Sequence, residues 1–317
     1  MKRTQGKWDP TRRNRFFQAG MGSQAPFSHR YRPLHDNLCA VNDFASIGRP
    51  INRDSRNFQE LQRMLDTGSP IFLDSGVFNL TNQHMKNHGT TMDEALQLAP
   101  EEIDGFSWLL DVYVELCTEF GDQLWGYNEL DQGGMANKIR TRTMLEDEYG
   151  LAPIPVYHPL NDGWDYFDEL ATEYDRMCYG NVVQAMGPTR LRLLYTAFER
   201  HRQYPDLWIH FLGVTPNQWQ YGLSFDSADS SSWTYAFRYP TAFRSKTMGR
   251  NWGKGVADEY LPPRASEGTE EDKTSTPSRG LAEMLWYGRM VQHWHDRLQT
   301  EFGEGYVNDR PLIERNS

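Results

Sequence analysis

Short apolar runs alternate with helical stretches along the chain from residue 55 onward, which is the pattern of repeated βα units. The apolar runs predict strands over Ile71–Leu73, Leu124–Leu130, Ile154–Tyr157, Arg176–Tyr179, Leu207–Leu212 and Leu223–Phe225. Between them, apolar residues recur with helical spacing and predict helices over Phe58–Leu65, Ile103–Phe120, Met135–Tyr149, Tyr166–Tyr174 and Leu191–Tyr204. We therefore expect an α/β fold of the (β/α)8 TIM-barrel type.

Each predicted strand runs into a polar or glycine residue. The residues at these positions are Asp74, Asp131, His158, Gly180, Gly213 and Asp226. In a parallel barrel, catalytic groups lie where strands end and the following loops begin, because that rim is open to substrate while the interior is packed. The pattern therefore predicts an active site lined with aspartates at the strand ends.

The domain prediction is a single barrel over residues 36–302, preceded by a basic arm over 1–35 and followed by a tail over 303–317. The remaining strands are expected within residues 36–47 and in the aromatic region after Trp233, without defined bounds. Pro262–Pro277 is rich in Glu, Ser, Thr and Pro and predicts a mobile loop, whereas Leu281–Phe302 predicts a long helix.

The composition supports a folded domain, since 38% of the 317 residues are hydrophobic and 13% are aromatic. A net charge of -10 argues against a nucleic-acid partner, but local clusters of basic residues matter more than the total. One cluster comprises Lys2, Arg3, Lys7, Arg12, Arg13 and Arg15. The other, predicted to bind phosphates, comprises Arg238, Arg244, Lys246, Arg250 and Lys254.

The cysteines and histidines predict neither a disulfide framework nor a metal site. The three cysteines form no CxxC pair, and the histidine pairs 84/88 and 293/295 are interpreted as surface residues. The chain has no apolar run of about 18 residues that would span a membrane or form part of a signal peptide. A cytoplasmic protein is expected.

Six short segments carry a resemblance to a known family. They are Leu73-Asp74-Ser75-Gly76-Val77-Phe78, Asn128-Glu129-Leu130-Asp131, Val156-Tyr157-His158, Tyr179-Gly180-Asn181, His210-Phe211-Leu212-Gly213-Val214-Thr215-Pro216 and Phe225-Asp226-Ser227-Ala228-Asp229-Ser230-Ser231-Ser232-Trp233. In this order they resemble the motifs of the tRNA-guanine transglycosylase superfamily, most closely its phage branch that modifies DNA. The resemblance covers residues 70–240.

The resemblance implies roles for individual residues. Asp74 is the expected general acid/base, and Asp131 is the expected recognition group for the base. The substrate is expected to contact Ser75, Gly76, Phe78, Asp131, His158, Gly180, Asn181 and Gly213. The nucleophile stays open between Asp226, which matches archaeal-type enzymes, and Asp229, which matches the phage type together with Ser230 and Trp233 and is favoured.

The implied activity is exchange of guanine for a 7-deazaguanine, such as the cyano form, through a covalent sugar–aspartate intermediate. DNA is the expected nucleic acid and tRNA the alternative. No cofactor is expected, because the zinc-binding cysteines of typical relatives have no counterpart after Cys178. Two other readings stay open: a non-catalytic barrel that binds nucleic acid, and a glycoside hydrolase with paired carboxylates.

Overall fold

Eight parallel strands form one curled sheet in the computed structural model, which describes residues 1–10, 15–20, 36–214 and 226–231. The strands are β1 Arg15–Gln18, β2 Asp36–Ala40, β3 Ile71–Asp74, β4 Gly126–Tyr127, β5 Val156–Tyr157, β6 Arg176–Tyr179, β7 Trp208–Phe211 and β8 Ser227–Ser230. Their order in the sheet is β4-β3-β2-β1-β8-β7-β6-β5. Two backbone hydrogen bonds connect the edge strands β4 and β5 through Ile154, which precedes β5. Ile154 N donates to Tyr127 O at 2.8 Å, and Glu129 N donates to Ile154 O at 2.9 Å. The fold is TIM-barrel-like.

Seven α-helices lie within the described ranges. They are α1 Arg56–Asp66, α2 Val77–His88, α3 Met92–Gln97, α4 Phe106–Phe120, α5 Gly134–Tyr149, α6 Trp164–Glu173 and α7 Gly187–His201. Ser55 begins α1, since its hydroxyl accepts a hydrogen bond from Phe58 N at 3.2 Å, and α1 buries Phe58, Leu61 and Met64 on one face. Helices therefore follow strands along the chain as the βα pattern predicts.

Aromatic side chains fill the interior enclosed by the sheet. Phe17, Phe72, Trp125 and Trp208 are fully buried there, with ring centroids of Phe17 and Trp125 4.8 Å apart and those of Trp125 and Trp208 5.8 Å apart. Two larger apolar clusters pack the helices against the outside of the sheet. The packed interior leaves the strand ends as the place where a ligand can enter.

The amino-terminal segment lies across the end of the sheet where the strands begin. Lys7 N donates to Leu124 O, and Thr4 accepts a hydrogen bond from the buried Arg176, which also donates to Trp125 O. Arg15 lies in β1 and forms a bidentate ion pair with Asp36 at 2.8 and 3.0 Å. Residues 15–18, predicted as part of a basic arm, therefore belong to the sheet, and Arg15 neutralises a carboxylate instead of presenting a free charge.

One strand, Arg176–Tyr179, has the bounds that the sequence predicted. The five predicted helices are present, with ends within a few residues of the predicted ones. The strand predicted over Leu124–Leu130 is only Gly126–Tyr127, and α2 and α3 were not predicted. Among the described residues the last strand is Ser227–Ser230, which begins directly after Asp226, and the strand predicted over Leu223–Phe225 lies outside the described residues. The loop over 262–277, the helix over 281–302 and the tail lie outside the described residues.

None of the described helices is both long enough and apolar enough to cross a membrane.

Candidate active site

A cavity of about 470 Å³ opens where the strands end. Three carboxylates from different parts of the sheet line it: Asp74 at the end of β3, Asp131 after β4, and Asp229 near the end of β8. Of the residues expected to contact substrate, Ser75, Phe78, His158, Asn181 and Gly213 also line this cavity. The structure therefore brings most of the predicted site together.

Asp74 is held by two donors at the turn between β3 and α2. Gly76 N donates to Asp74 Oδ2 at 3.2 Å, and Asn128 Nδ2 donates to Asp74 Oδ1 at 3.3 Å. Gly76 adopts φ 79°, and a Cβ there would lie 1.9 Å from Asn42 Oδ1, so the turn requires glycine. Asn128 also accepts a hydrogen bond from Ser75 N at 2.7 Å. One buried amide thus fixes both the carboxyl group and the backbone that follows it.

The surroundings of Asp74 favour its neutral form. Burial, together with the negative charges of Asp131 and Asp229, raises the pKa of the Asp74 carboxyl to about 7. The hydrogen bonds from Gly76 and Asn128 act in the opposite direction but are weaker. A carboxylic acid with a pKa near neutrality can both donate and accept a proton in one catalytic cycle. Asp74 therefore has the property of a general acid/base.

Asp131 forms an ion pair with His158, whose Nε2 lies 3.0 Å from Asp131 Oδ2. Burial opposes ionisation of Asp131, but the hydrogen bond and charge of His158 outweigh it and lower the pKa of this carboxyl. Ser75 Oγ makes a longer contact, 3.4 Å, with the other oxygen. Two aspartates in one cavity thus have pKa values moved in opposite directions.

His158 is itself fixed from behind by a buried ion pair. Asp162 Oδ2 accepts hydrogen bonds from His158 N at 2.8 Å and from Lys138 Nζ at 2.5 Å. On the other side, a Cβ at Gly180 would lie 2.9 Å from the His158 ring. Gly180 therefore leaves room for the imidazole in the position from which it contacts Asp131, which gives this predicted residue a steric role.

Asp229 is oriented by a chain of hydrogen bonds from the sheet. The indole of Trp208 can only donate, and its Nε1 lies 2.7 Å from Ser227 Oγ. The Ser227 hydroxyl can then donate to His210 Nδ1 at 2.9 Å, which leaves Nε2 protonated to donate to Asp229 Oδ1 at 3.3 Å. Gly213 N donates to the same oxygen at 2.9 Å. Among the described residues these donors reach Asp229 Oδ1, and Oδ2 is left to face a substrate.

Asp226 lies at the opposite end of the sheet, immediately before β8. It is 1% exposed, its Oδ2 accepts a hydrogen bond from Ile209 N at 2.9 Å, and the same oxygen lies 3.4 Å from His201 Nε2. Three residues of extended strand, about 10 Å, separate it from Asp229. Asp226 is a buried carboxylate at the start of β8 and does not line the cavity, so the geometry favours Asp229 over Asp226 as the candidate nucleophile.

Asn181 and Phe78 complete the wall of the cavity. Asn181 has φ 43°, and its Nδ2 donates to Asn161 Oδ1 at 2.6 Å, whereas its own Oδ1 is buried and has no partner within the part of the chain that the structure describes. Phe78 is 49% exposed although it is aromatic. An unpaired amide oxygen and an exposed ring at the same cavity fit a ligand that has both a hydrogen-bond donor and a flat apolar face.

Several positioning residues were not identified from the sequence as functional. Asn128, Ser227 and Trp208 act on Asp74 and Asp229 through hydrogen bonds, and Lys138 and Asp162 act on His158. Asn128 was visible only as the first residue of the Asn128-Glu129-Leu130-Asp131 segment, and Lys138 had no signal beyond its position in a predicted helix.

The histidine pair 84/88 differs from its prediction. Both lie on α2 four residues apart, their rings stack at 4.2 Å, and His84 is buried. The interpretation of His84 as a surface residue is therefore wrong. The predicted phosphate-binding cluster of residues 238–254 and the second histidine pair lie outside the described residues.

Comparison with known proteins adds no relative to this picture. No family model matches the chain, and no curated protein matches it.

Proposed function

We propose that this protein is a base-exchange transglycosylase that replaces guanine in DNA with a 7-deazaguanine. The observation that supports this most strongly is the set of three carboxylates in one cavity with different environments: Asp74 with its pKa near 7, Asp131 paired with His158, and Asp229 fixed by His210 and Gly213. Base exchange needs a proton carrier, a recognition group and a nucleophile, and these three residues fit those roles.

In the first half-reaction, Asp229 Oδ2 attacks C1′ of the sugar. The bond between C1′ and the base nitrogen breaks, and the departing guanine takes the proton of neutral Asp74. The sugar is then joined to Asp229 as an ester-like adduct, which holds the position open after guanine leaves.

In the second half-reaction, the incoming base gives its N–H proton to the Asp74 carboxylate. The nitrogen attacks C1′, the bond to Asp229 breaks, and the carboxylate is released. Asp74 ends the cycle protonated, as it began, so no external acid or base is consumed.

Asp131 suits the recognition of the guanine edge. A carboxylate has about four acceptor positions, of which His158 occupies one, the backbone N–H of Asp131 itself another, and Ser75 a further one at longer distance. The remaining position, together with the one that Ser75 holds weakly, would accept the ring N–H and amino group of guanine or a 7-deazaguanine. The exposed ring of Phe78 offers a surface on which the flat base can stack.

The test combines nucleoside analysis with detection of the adduct. DNA and tRNA from cells that express the full chain and have a 7-deazaguanine source should contain the modified nucleoside in DNA. Purified protein incubated with substrate DNA should form a covalent species on a denaturing gel. Asp229→Asn should abolish both, because an amide cannot serve as the attacking carboxylate.

Asp226→Asn is the matched control, since it makes the same change three residues away on the opposite end of the sheet. It should keep the adduct at normal yield per folded molecule. An adduct that forms in Asp229→Asn but not in Asp226→Asn would reverse the assignment. A modified nucleoside found in tRNA but not in DNA would identify tRNA as the substrate. The absence of any modified nucleoside or adduct would favour a non-catalytic barrel.

A further inference from the structure

His84, His88 and Asp104 form a cluster on the outer side of the fold, where α2 ends and the chain approaches α4. His88 Nε2 lies 2.7 Å and His84 Nδ1 lies 3.6 Å from Asp104 Oδ2. One ligand atom from each of the three residues lies within 4.8 Å of the others. Among the described residues, this is the one group of at least three such side chains with that spacing.

The spacing is close to that of a zinc coordination sphere. Bonds of about 2.0–2.1 Å in a tetrahedral arrangement place neighbouring ligand atoms about 3.3 Å apart. The observed separations of 2.7 and 3.6 Å lie on either side of this value. All three ligand atoms lie within 4.8 Å of one another, and the exposed side chains of His88 and Asp104 are the ones that would rotate to bring them to one ion.

The protonation states also suit a metal. His84 Nδ1 accepts a hydrogen bond from Asp104 N at 3.2 Å, so this nitrogen is unprotonated, and an ion bound there would take the place of that hydrogen bond. Neutral imidazole and ionised carboxylate are the forms that bind divalent cations.

We infer that His84, His88 and Asp104 bind a divalent cation of the zinc type, with solvent completing its coordination. The ion would join the end of α2 to the segment before α4. The twelve residues of α2 place His88 roughly 17 Å along the helix from its start behind Asp74. The ion is therefore a structural clamp, separate from the proposed base exchange and independent of it.

The experiment uses the full chain, freed of metal with a chelator and titrated with Zn²⁺ alone in a calorimeter. We expect one high-affinity equivalent and a higher melting temperature with Zn²⁺, since an ion that binds only the folded state stabilises it. Co²⁺ should give the visible absorption of a four-coordinate site. His88→Ala, at an exposed position that tolerates truncation, should weaken the affinity on the order of 100-fold.

Gln83→Ala, on an exposed position of the same helix, is the matched control and should bind like the wild type. The double variant His293→Ala, His295→Ala controls for the other histidine pair and should also bind normally. Absence of stoichiometric Zn²⁺ uptake by the wild type, or an unchanged affinity in both His88→Ala and Asp104→Ala, would overturn the inference.

Discussion

Replacing Asp74 with asparagine should remove activity and at the same time stabilise the protein above neutral pH. The carboxyl group has its pKa raised to about 7 by burial and by the charges of Asp131 and Asp229, compared with an ordinary value of 3.8. A group whose pKa is raised on folding binds more protons in the folded state, so its contribution to stability falls as the pH rises. Asparagine has the same shape and does not ionise.

The magnitude follows from the two pKa values. Between about pH 5 and about pH 7, Asp74 is ionised in the unfolded chain but still protonated in the folded one, so each pH unit costs the wild type about 1.4 kcal/mol. The difference in free energy of unfolding, variant minus wild type, should therefore rise by about 3 kcal/mol from about pH 5 to about pH 8 and then level off.

The assay is urea unfolding of both proteins across this pH range, with base exchange measured on the same samples. Asp93→Asn removes one negative charge from an exposed position on α3 and controls for the change in net charge. A difference that stays constant with pH would refute the proposed environment of Asp74. A destabilised variant with normal specific activity would show that Asp74 serves only the turn.

Two further predictions concern the nucleophile and the phosphate contacts. Ser227→Ala removes the hydroxyl between Trp208 and His210, so the tautomer of His210 is no longer fixed. In steady-state kinetics kcat should fall on the order of 100-fold with little change in KM. A comparable impairment of kcat and KM would indicate that Ser227 has only a structural role. The double variant Arg244→Ala, Lys246→Ala should weaken DNA binding for all sequences alike. In binding isotherms across a salt series, the slope of log affinity against log salt concentration should fall by roughly one for each lost phosphate contact. An unchanged slope would show that these two residues do not contact phosphates.

The pattern along the chain predicted an α/β fold with parallel strands and pointed to several residues that line the cavity. Buried parallel strands need continuous apolar runs, and a polar residue after such a run often lies at the rim, as Asp74, Asp131 and His158 do but Asp226 does not. The prediction failed where the hydrophobic pattern is weak. The residues of β1 were assigned to a basic arm, because the sequence shows the charge of Arg15 but not the ion pair that it forms with Asp36.

The tertiary structure decided which of two neighbouring aspartates faces the cavity. Asp226 and Asp229 both lie in one short polar segment, and only the register of β8 against β1 and β7 shows that the strand starts after Asp226 and carries Asp229 to the rim. It also decided the raised pKa of Asp74, since that depends on carboxylates 57 and 155 residues later in the chain. Sequence spacing contains neither the burial nor the distances on which these electrostatic effects depend, because both arise only when the strands are assembled side by side.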